Sequence, residues 1–184
     1  MSKSSEHLKA AITGETNASA KYVAFANAAE AENLPNVAYL FRTLSEAEKI
    51  HIRNHRKALG DEDFEVVVEE ATVGTTLQNL EAGIAGEIYE NKTMYPGFIK
   101  DVKKEMKTDQ GKMAGLSMQW ALKVEAVHEG LLKQALAAVQ AGHDSEITKL
   151  WICKICGNVL TEAESTETCS VCGHDAKYYQ LIEG

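Results

Sequence analysis

The sequence lacks any apolar run long enough to span a bilayer, which excludes a transmembrane helix. It also lacks a basic stretch followed by an apolar segment at its start. The chain opens instead on a short polar lead, Met1-Ser2-Lys3-Ser4-Ser5, so the cytoplasm is the expected compartment. Basic residues are in deficit, with 19 Lys and Arg against 27 Asp and Glu and a formal net charge of −8. That balance argues against nucleic acid and against an anionic membrane surface as partners. Cysteine is confined to the C-terminal end. All four lie between residues 153 and 172, as two Cys-x-x-Cys pairs. In a reducing compartment such pairs read as metal ligands rather than disulfides. Proline occurs twice, as Pro35 and Pro96.

What is present is helical periodicity. A first helix is predicted from about Ser5 to Glu32, capped by Ser4 or Ser5. Its stripe is Leu8, Ala11, Ile12, Glu15, Ala18, Tyr22, Phe25 and Ala29. Asn33-Leu34-Pro35 ends it. A second helix runs from about Asn36 to Leu59 and stops at Gly60. The turn between them is short, so the two lie antiparallel. Residues 61–73 break the pattern. Phe64 to Val68 is β-prone, and a connection of this length suits a crossover. A third helix starts near Thr75, with Leu77, Leu80, Ile84, Glu87, Glu90 and Met94 on one side. Pro96 is expected to kink or interrupt it, with helical pattern resuming through Val102 and Met106. A fourth helix begins near Gln110 or Lys112 and ends before Gly142.

The chemistry concentrates in these helices. Glu48-Lys49-Ile50-His51 and Glu125-Ala126-Val127-His128 each put a carboxylate and an imidazole on one helical face, about 4.5 Å apart along the axis. Glu15 and Glu87 sit on otherwise apolar faces of the two preceding helices. Four carboxylates in one core would repel one another and resist burial unless metal compensated them. One Glu from each of two helices plus Glu-x-x-His from each of two others is the ligand set of di-iron carboxylate bundles. A single Glu-x-x-His arises often by chance on a surface. Two of them, each matched by a Glu on the preceding helix, point to two metal ions, iron or manganese by donor type. The repeat lies in the ligand pattern and not in overall sequence.

Glu90 breaks the pseudo-symmetry. It follows Glu87 on the same face, where the first helix has Ala18, and gives one metal a second carboxylate or else sits exposed near a helix end. Tyr22 and Tyr95 are candidate donors that orient glutamates, or else aromatics of the core or rim. His55 forms His-x-x-x-His with His51 but lies one turn beyond the site, and a packing role is expected. His7, His143 and His174 read as surface residues.

Cys153-x-x-Cys156-Gly157 and Cys169-x-x-Cys172-Gly173 form two knuckles. Four thiolates in tetrahedral array suit Zn(II) or a single iron, and spacing alone leaves both open. The segment is too short to bury a useful core and needs its metal to fold. Trp151, Ile152, Ile155, Val171 and Tyr178 are candidates to shield it.

With both constellations assembled, the chain resembles rubrerythrin along essentially its whole length. The resemblance is carried by Gly14-Glu15 through Tyr22, Glu48-x-x-His51, Gly86-Glu87-x-x-Glu90 followed by Met94-Tyr95-Pro96, Glu125-x-x-His128 and the double knuckle. It implies a mainly α fold, a ferritin-like four-helix bundle with a small C-terminal rubredoxin-like domain. The implied bounds are 1–142 for the bundle, 143–150 for a linker and 151–184 for the knuckle domain. It further implies two non-haem irons held by Glu15, Glu48, His51, Glu87, Glu90, Glu125 and His128, with Glu90 and His51 exchanging at one iron. One more iron is implied on Cys153, Cys156, Cys169 and Cys172. Ser170 and Asn158 depart from the usual rubredoxin pattern without removing a ligand, and His55 stands where an apolar residue is expected.

The implied activity is a peroxidase that reduces hydrogen peroxide to water in oxidative-stress defence. Electrons would come from NAD(P)H through a redox protein such as rubredoxin or a reductase. A homodimer or larger assembly is implied, head to tail, because knuckle and bundle of one chain are expected to lie far apart. The competing readings are a ferroxidase or iron-handling protein with a structural zinc knuckle, an oxidase that uses O2, and a binding module with structural metals.

Overall fold

The computed structural model describes residues 2–61, 63–161 and 167–183. Five α-helices carry most of the chain: α1 (Lys3–Ala31), α2 (Pro35–Leu59), α3 (Thr76–Tyr89), α4 (Tyr95–Val102) and α5 (Asp109–Gln140). The N-terminal cap is Ser2, not Ser4 or Ser5, and its Oγ accepts from the Ser5 amide at 3.1 Å. The amides of Lys3 and Ser4 are answered by the Glu105 carboxylate, so the helix can start earlier than expected. Asn33 takes the left-handed conformation between α1 and α2 (φ 60°), which asparagine tolerates. Gly60 does the same after α2 (φ 73°).

The third helix is interrupted just ahead of Pro96, as expected. A π-helical turn, Glu90–Met94, joins α3 to α4, and Pro96 sits in the first turn of α4. Proline lacks the N–H that would bond back to the preceding turn, and it suits a helix start. The helical pattern stops at Val102, so Met106 lies outside it, in a turn before Thr108 caps α5. The β-prone run after Gly60 pairs with no strand among the described residues. Phe64 and Val66 lean on the core, while Val67 is exposed.

Among the described residues, buried apolar side chains form two large clusters, besides a small one around the cysteines. One includes Leu8, Ile12, Tyr95 and Met118; the other includes Phe25, Leu40, Phe41 and Leu132. Glu15, Glu48, Glu87 and Glu125 are also buried. Residues 143–150 are tied down. Asp144 accepts from the amides of Asn36 and Val37 at 2.8 and 3.1 Å, capping α2 from outside, because Leu34 has no side chain to do so. Leu150 is fully buried. Tyr39 accepts from the Leu150 amide and donates to the Ile182 carbonyl, anchoring both ends of the last segment to α2. That segment is a small antiparallel sheet, β1 (Trp151–Cys153), β2 (Val159–Leu160) and β3 (Tyr179–Leu181), with β1 in the centre. Among the described residues, no helix is long and apolar enough to cross a membrane.

Candidate metal centres

Helices α1, α2, α3 and α5 each point one glutamate into the middle of the bundle, and α2 and α5 add a histidine one turn on. Glu15, Glu48, His51 and Glu125 form one group of mutually close ligand atoms. Glu48, Glu87, Glu125 and His128 form the other, so Glu48 and Glu125 belong to both. All six side chains are at most 1% exposed. The two halves mirror each other. His51 Nδ1 is 2.9 Å from Glu48, 3.0 Å from Glu125 and 3.6 Å from Glu15. His128 Nδ1 is 3.0 Å from Glu125, 3.2 Å from Glu48 and 3.7 Å from Glu87.

These approaches are ion-pair distances without hydrogen-bond geometry. Both oxygens of Glu48 and Glu125, Oε2 of Glu15 and of Glu87, and the ring nitrogens of both histidines have no hydrogen-bond partner among the described residues. Buried polar atoms left this way are costly, and converging ones are what cations compensate. The donor set of carboxylates and imidazoles fits two irons.

The electrostatics carry the same message. Burial, then the charges of Glu125 and Glu48, pushes Glu15 up to about 7. Burial pushes Glu87 up to about 8 against the pull of His128. Burial would also raise Glu48, but the two imidazoles overcome it and hold the carboxyl at about 2. Both imidazoles rise well above their ordinary range despite burial, His51 chiefly through Glu125 and His128 chiefly through Glu48. Crowded carboxylates thus hold protons that metal ions would displace.

The two tyrosines reach the ends of the site. Tyr22 donates to Glu87 Oε1 and Tyr95 donates to Glu15 Oε1. Glu90 begins the π-helical turn and is 9% exposed, at the rim and outside both ligand groups. It lines a cavity of about 220 Å3 together with Gly14, Ala18, Gly83 and Gly86. The sequence carried no signal for the π-helical turn. Such turns arise inside α-helices mostly at functional positions.

The four cysteines converge as expected. Sγ–Sγ distances are 3.8 Å for Cys153–Cys172 and 3.7 Å for Cys156–Cys169. Four thiolates about 2.3 Å from one ion stand about 3.8 Å apart in a tetrahedron, so the cluster fits such an ion. Gly157 and Gly173 close the knuckles with positive φ (89° and 72°), and their amides return to the Cys153 and Cys169 carbonyls. The shield differs from the expected set. Ile155 and Val171 are part of it, with Tyr179 rather than Tyr178, and Trp120 and Val124 come from α5; Ile152 belongs to the bundle core. Sequence reasoning missed Tyr179, whose hydroxyl lies 3.2 Å from Cys169 Sγ and accepts from Asn158 at 2.7 Å. The departure noted at Asn158 was its only signal.

The two sites are adjacent in one chain, which corrects the expectation that they lie far apart. A Cβ built on Gly157 would stand 2.8 Å from His51 Nε2 and 3.2 Å from the Ala47 carbonyl. His51 therefore faces the bundle site with Nδ1 and the first knuckle with Nε2. The tertiary fold also changes two other histidines. His7 is stacked on Phe98 at 4.3 Å and lies 3.1 Å from Asp101, partly buried. His55 makes two buried hydrogen bonds rather than merely packing. His143 and His174 are exposed, as expected.

Comparison with known proteins decides the lineage. Residues 6–136 match the rubrerythrin family model, and residues 151–180 match the rubredoxin-like domain of rubrerythrin. The chain belongs to the rubrerythrin family. Among its relatives, rubrerythrin-2 of Clostridium acetobutylicum is 32% identical over 180 residues, covering 96% of this chain and 95% of that protein. Nigerythrin of Nitratidesulfovibrio vulgaris is 35% identical over 173 residues, covering 91% and 80%. A solved mixed-valence structure of nigerythrin superposes with a TM-score of 0.84 at 32% identity, covering 99% of this chain and 87% of that one. A fully reduced, all-ferrous nigerythrin structure also has a TM-score of 0.84. Rubrerythrins are oxidoreductases, and this member carries both the candidate di-iron site and the four-cysteine, rubredoxin-like cluster.

Proposed function

We propose that this rubrerythrin is a non-haem di-iron peroxidase that reduces hydrogen peroxide to water. In this reading Glu15, Glu48, His51, Glu87, Glu125 and His128 hold two irons, Glu90 is a further ligand exchanged at one of them, and Cys153, Cys156, Cys169 and Cys172 hold a third. The bundle, residues 1–142, and the knuckle domain, residues 151–184, work as one relay. The observation that carries the proposal is the contact between Gly157 and His51. A four-thiolate site seated on a ligand of the di-iron site suits an enzyme that must be reloaded with electrons. An iron-storage protein has no use for it.

Held by these residues, two irons would supply the two electrons of the reduction, one per ion, and Lewis acidity toward the peroxide. One peroxide, two protons and two electrons then leave as two waters. The protein residues do the rest. Tyr22 and Tyr95 hold Oε1 of Glu87 and Glu15 and so orient both carboxylates, leaving Oε2 of each without a protein partner. The cavity beside Glu90, about 220 Å3, has room for a small oxidant. Without metal, burial and then the neighbouring Glu15 charge raise Glu90 well above the carboxylate range, so this carboxyl can carry a proton when no iron holds it. Electrons enter from a separate NAD(P)H-linked donor, a rubredoxin or a reductase, in a cytoplasmic homodimer or larger assembly.

The test is the visible spectrum of the anaerobically reduced protein after addition of peroxide, with O2 as comparison. Rapid return of a ferric four-cysteine band with peroxide, and slower return with O2, is expected. A protein that stays colourless in that band, or that prefers O2, would replace this reading with a ferroxidase carrying a structural zinc knuckle.

A further inference from the structure

The two tyrosine–glutamate pairs at the ends of the di-iron site match until the next residue outward. One turn beyond His128 on α5 stands Leu132, fully buried and apolar. One turn beyond His51 on α2 stands His55, equally buried. Its Nε2 is 2.9 Å from the Tyr95 hydroxyl and its Nδ1 is 3.0 Å from Ser117 Oγ. No other hydrogen-bond partner of the Tyr22 hydroxyl besides Glu87 occurs among the described residues.

Counting protons sets the direction of these bonds. A metal-bound carboxylate is ionised and only accepts, so the Tyr95 proton goes to Glu15 Oε1. Tyrosine has no second proton, so the bond from His55 must be donated by Nε2–H. A neutral imidazole has one N–H, so Nδ1 accepts and Ser117 donates to it. The Ala114 carbonyl, 3.1 Å away, competes as an acceptor for the one Ser117 proton; the proton count from Tyr95 turns that proton to Nδ1 instead. Burial, reinforced by the nearby His51, favours the neutral ring and pushes His55 down to about 3. The groups facing the ring are Ser117 from α5, Tyr95 from α4 and His51 on its own helix.

We propose that His55 is a positioning residue: its Nε2–H commits the Tyr95 hydroxyl to Glu15 Oε1, which fixes the orientation of the carboxylate and leaves Oε2 as its oxygen without a protein partner. The Glu15 half of the site is thereby made inequivalent to the Glu87 half, where Leu132 gives Tyr22 no such support. The inference rests on Glu15 being a metal ligand. It adds a residue at a place where the helix pattern calls for an apolar side chain.

The first test needs no turnover. In the full-length protein loaded with diamagnetic Zn(II) and labelled with 15N-histidine, long-range 1H–15N correlation reads the tautomer of each ring. His55 protonated on Nε2 alone is expected; a proton on Nδ1, or on both nitrogens, overturns the proposal. The second test uses the iron-loaded enzyme. His55→Leu copies the Leu132 arrangement, and His55→Gln keeps one donor and one acceptor. In His55→Leu, kcat is expected to fall about tenfold, with KM for peroxide within about twofold; His55→Gln stays within about threefold of the parent. Equal losses in both variants, or none in either, overturn it. Should His55→Leu fail to fold, the tautomer and the His55→Gln rate decide. An inactive parent enzyme would count against the peroxidase reaction and leave the tautomer result standing.

Discussion

Gly157 in the first cysteine knuckle and His51 in the bundle touch within one chain, close enough that a Cβ on the glycine would stand 2.8 Å from the imidazole Nε2. Gly157 also has φ 89°, a conformation that costs an alanine about 1 kcal/mol or more. Gly157→Ala is therefore expected to push the knuckle off His51. Thermal unfolding should show a loss of about 2 kcal/mol from the combined strain and clash. Stopped-flow spectra should show electrons leaving the four-cysteine iron at least tenfold more slowly, by roughly one decade of the range that small misplacements command. An unchanged transfer rate would mean that the contact is not the route.

Tyr179 is expected to tune the four-cysteine iron. Its hydroxyl lies 3.2 Å from Cys169 Sγ, with Asn158 donating to the tyrosine oxygen. A hydrogen bond to a thiolate favours the reduced, more negative state and raises the potential. Tyr179→Phe should lower the midpoint potential in a spectroelectrochemical titration while the metal stays bound. A potential that does not move would show that the hydroxyl has no part in the tuning.

Removing the knuckle metal should unfold the knuckle but spare the bundle. The described cysteine segment has three short strands, and its cysteine cluster takes the place of a core. Cys169→Ser is expected to remove hydrogen-exchange protection from residues 151–160 while α1, α2 and α5 keep theirs. Protection retained at 151–160 would show that the sheet and its anchors to Tyr39 suffice.

His55 predicts a pH effect on stability. Burial holds it near 3, against 6.5 for a free imidazole. Between those values the unfolded chain binds a proton that the folded chain refuses. The stability contributed by the neutral ring is complete above about pH 6.5 and is lost as pH falls, by at most about 1.4 kcal/mol per unit. Urea unfolding of parent and His55→Gln at pH 7, 6 and 5 should show a steeper acid loss in the parent. Parallel curves would exclude the depressed value.

The cavity beside Glu90 should be the way in for the oxidant. Gly86 lines it, and nothing lies within 4 Å of a Cβ built there. Gly86→Phe should fold with an unchanged ferric spectrum and lose roughly tenfold or more in kcat/KM for peroxide, the scale on which occluding a positioned site acts. Unimpaired turnover would send the oxidant by another route.

The sequence by itself determined the helices and the candidate ligands. Glutamates and histidines on apolar stripes, and paired cysteines each followed by glycine, are local patterns. Helical periodicity and metal chemistry read them without tertiary information. Even the departures at Asn158 and His55 were visible, as residues out of place. What they did was decided by tertiary structure, because hydrogen bonds to Tyr179, Tyr95 and Ser117 join residues distant in sequence. The π-helical turn at Glu90 and the passage of Pro96 into α4 depend on how the α3–α4 backbone accommodates the missing N–H. The seat of the knuckle on His51 was likewise beyond local pattern. It depends on Asp144 capping α2, on Tyr39 holding Leu150 and Ile182, and on a glycine that leaves room for an imidazole.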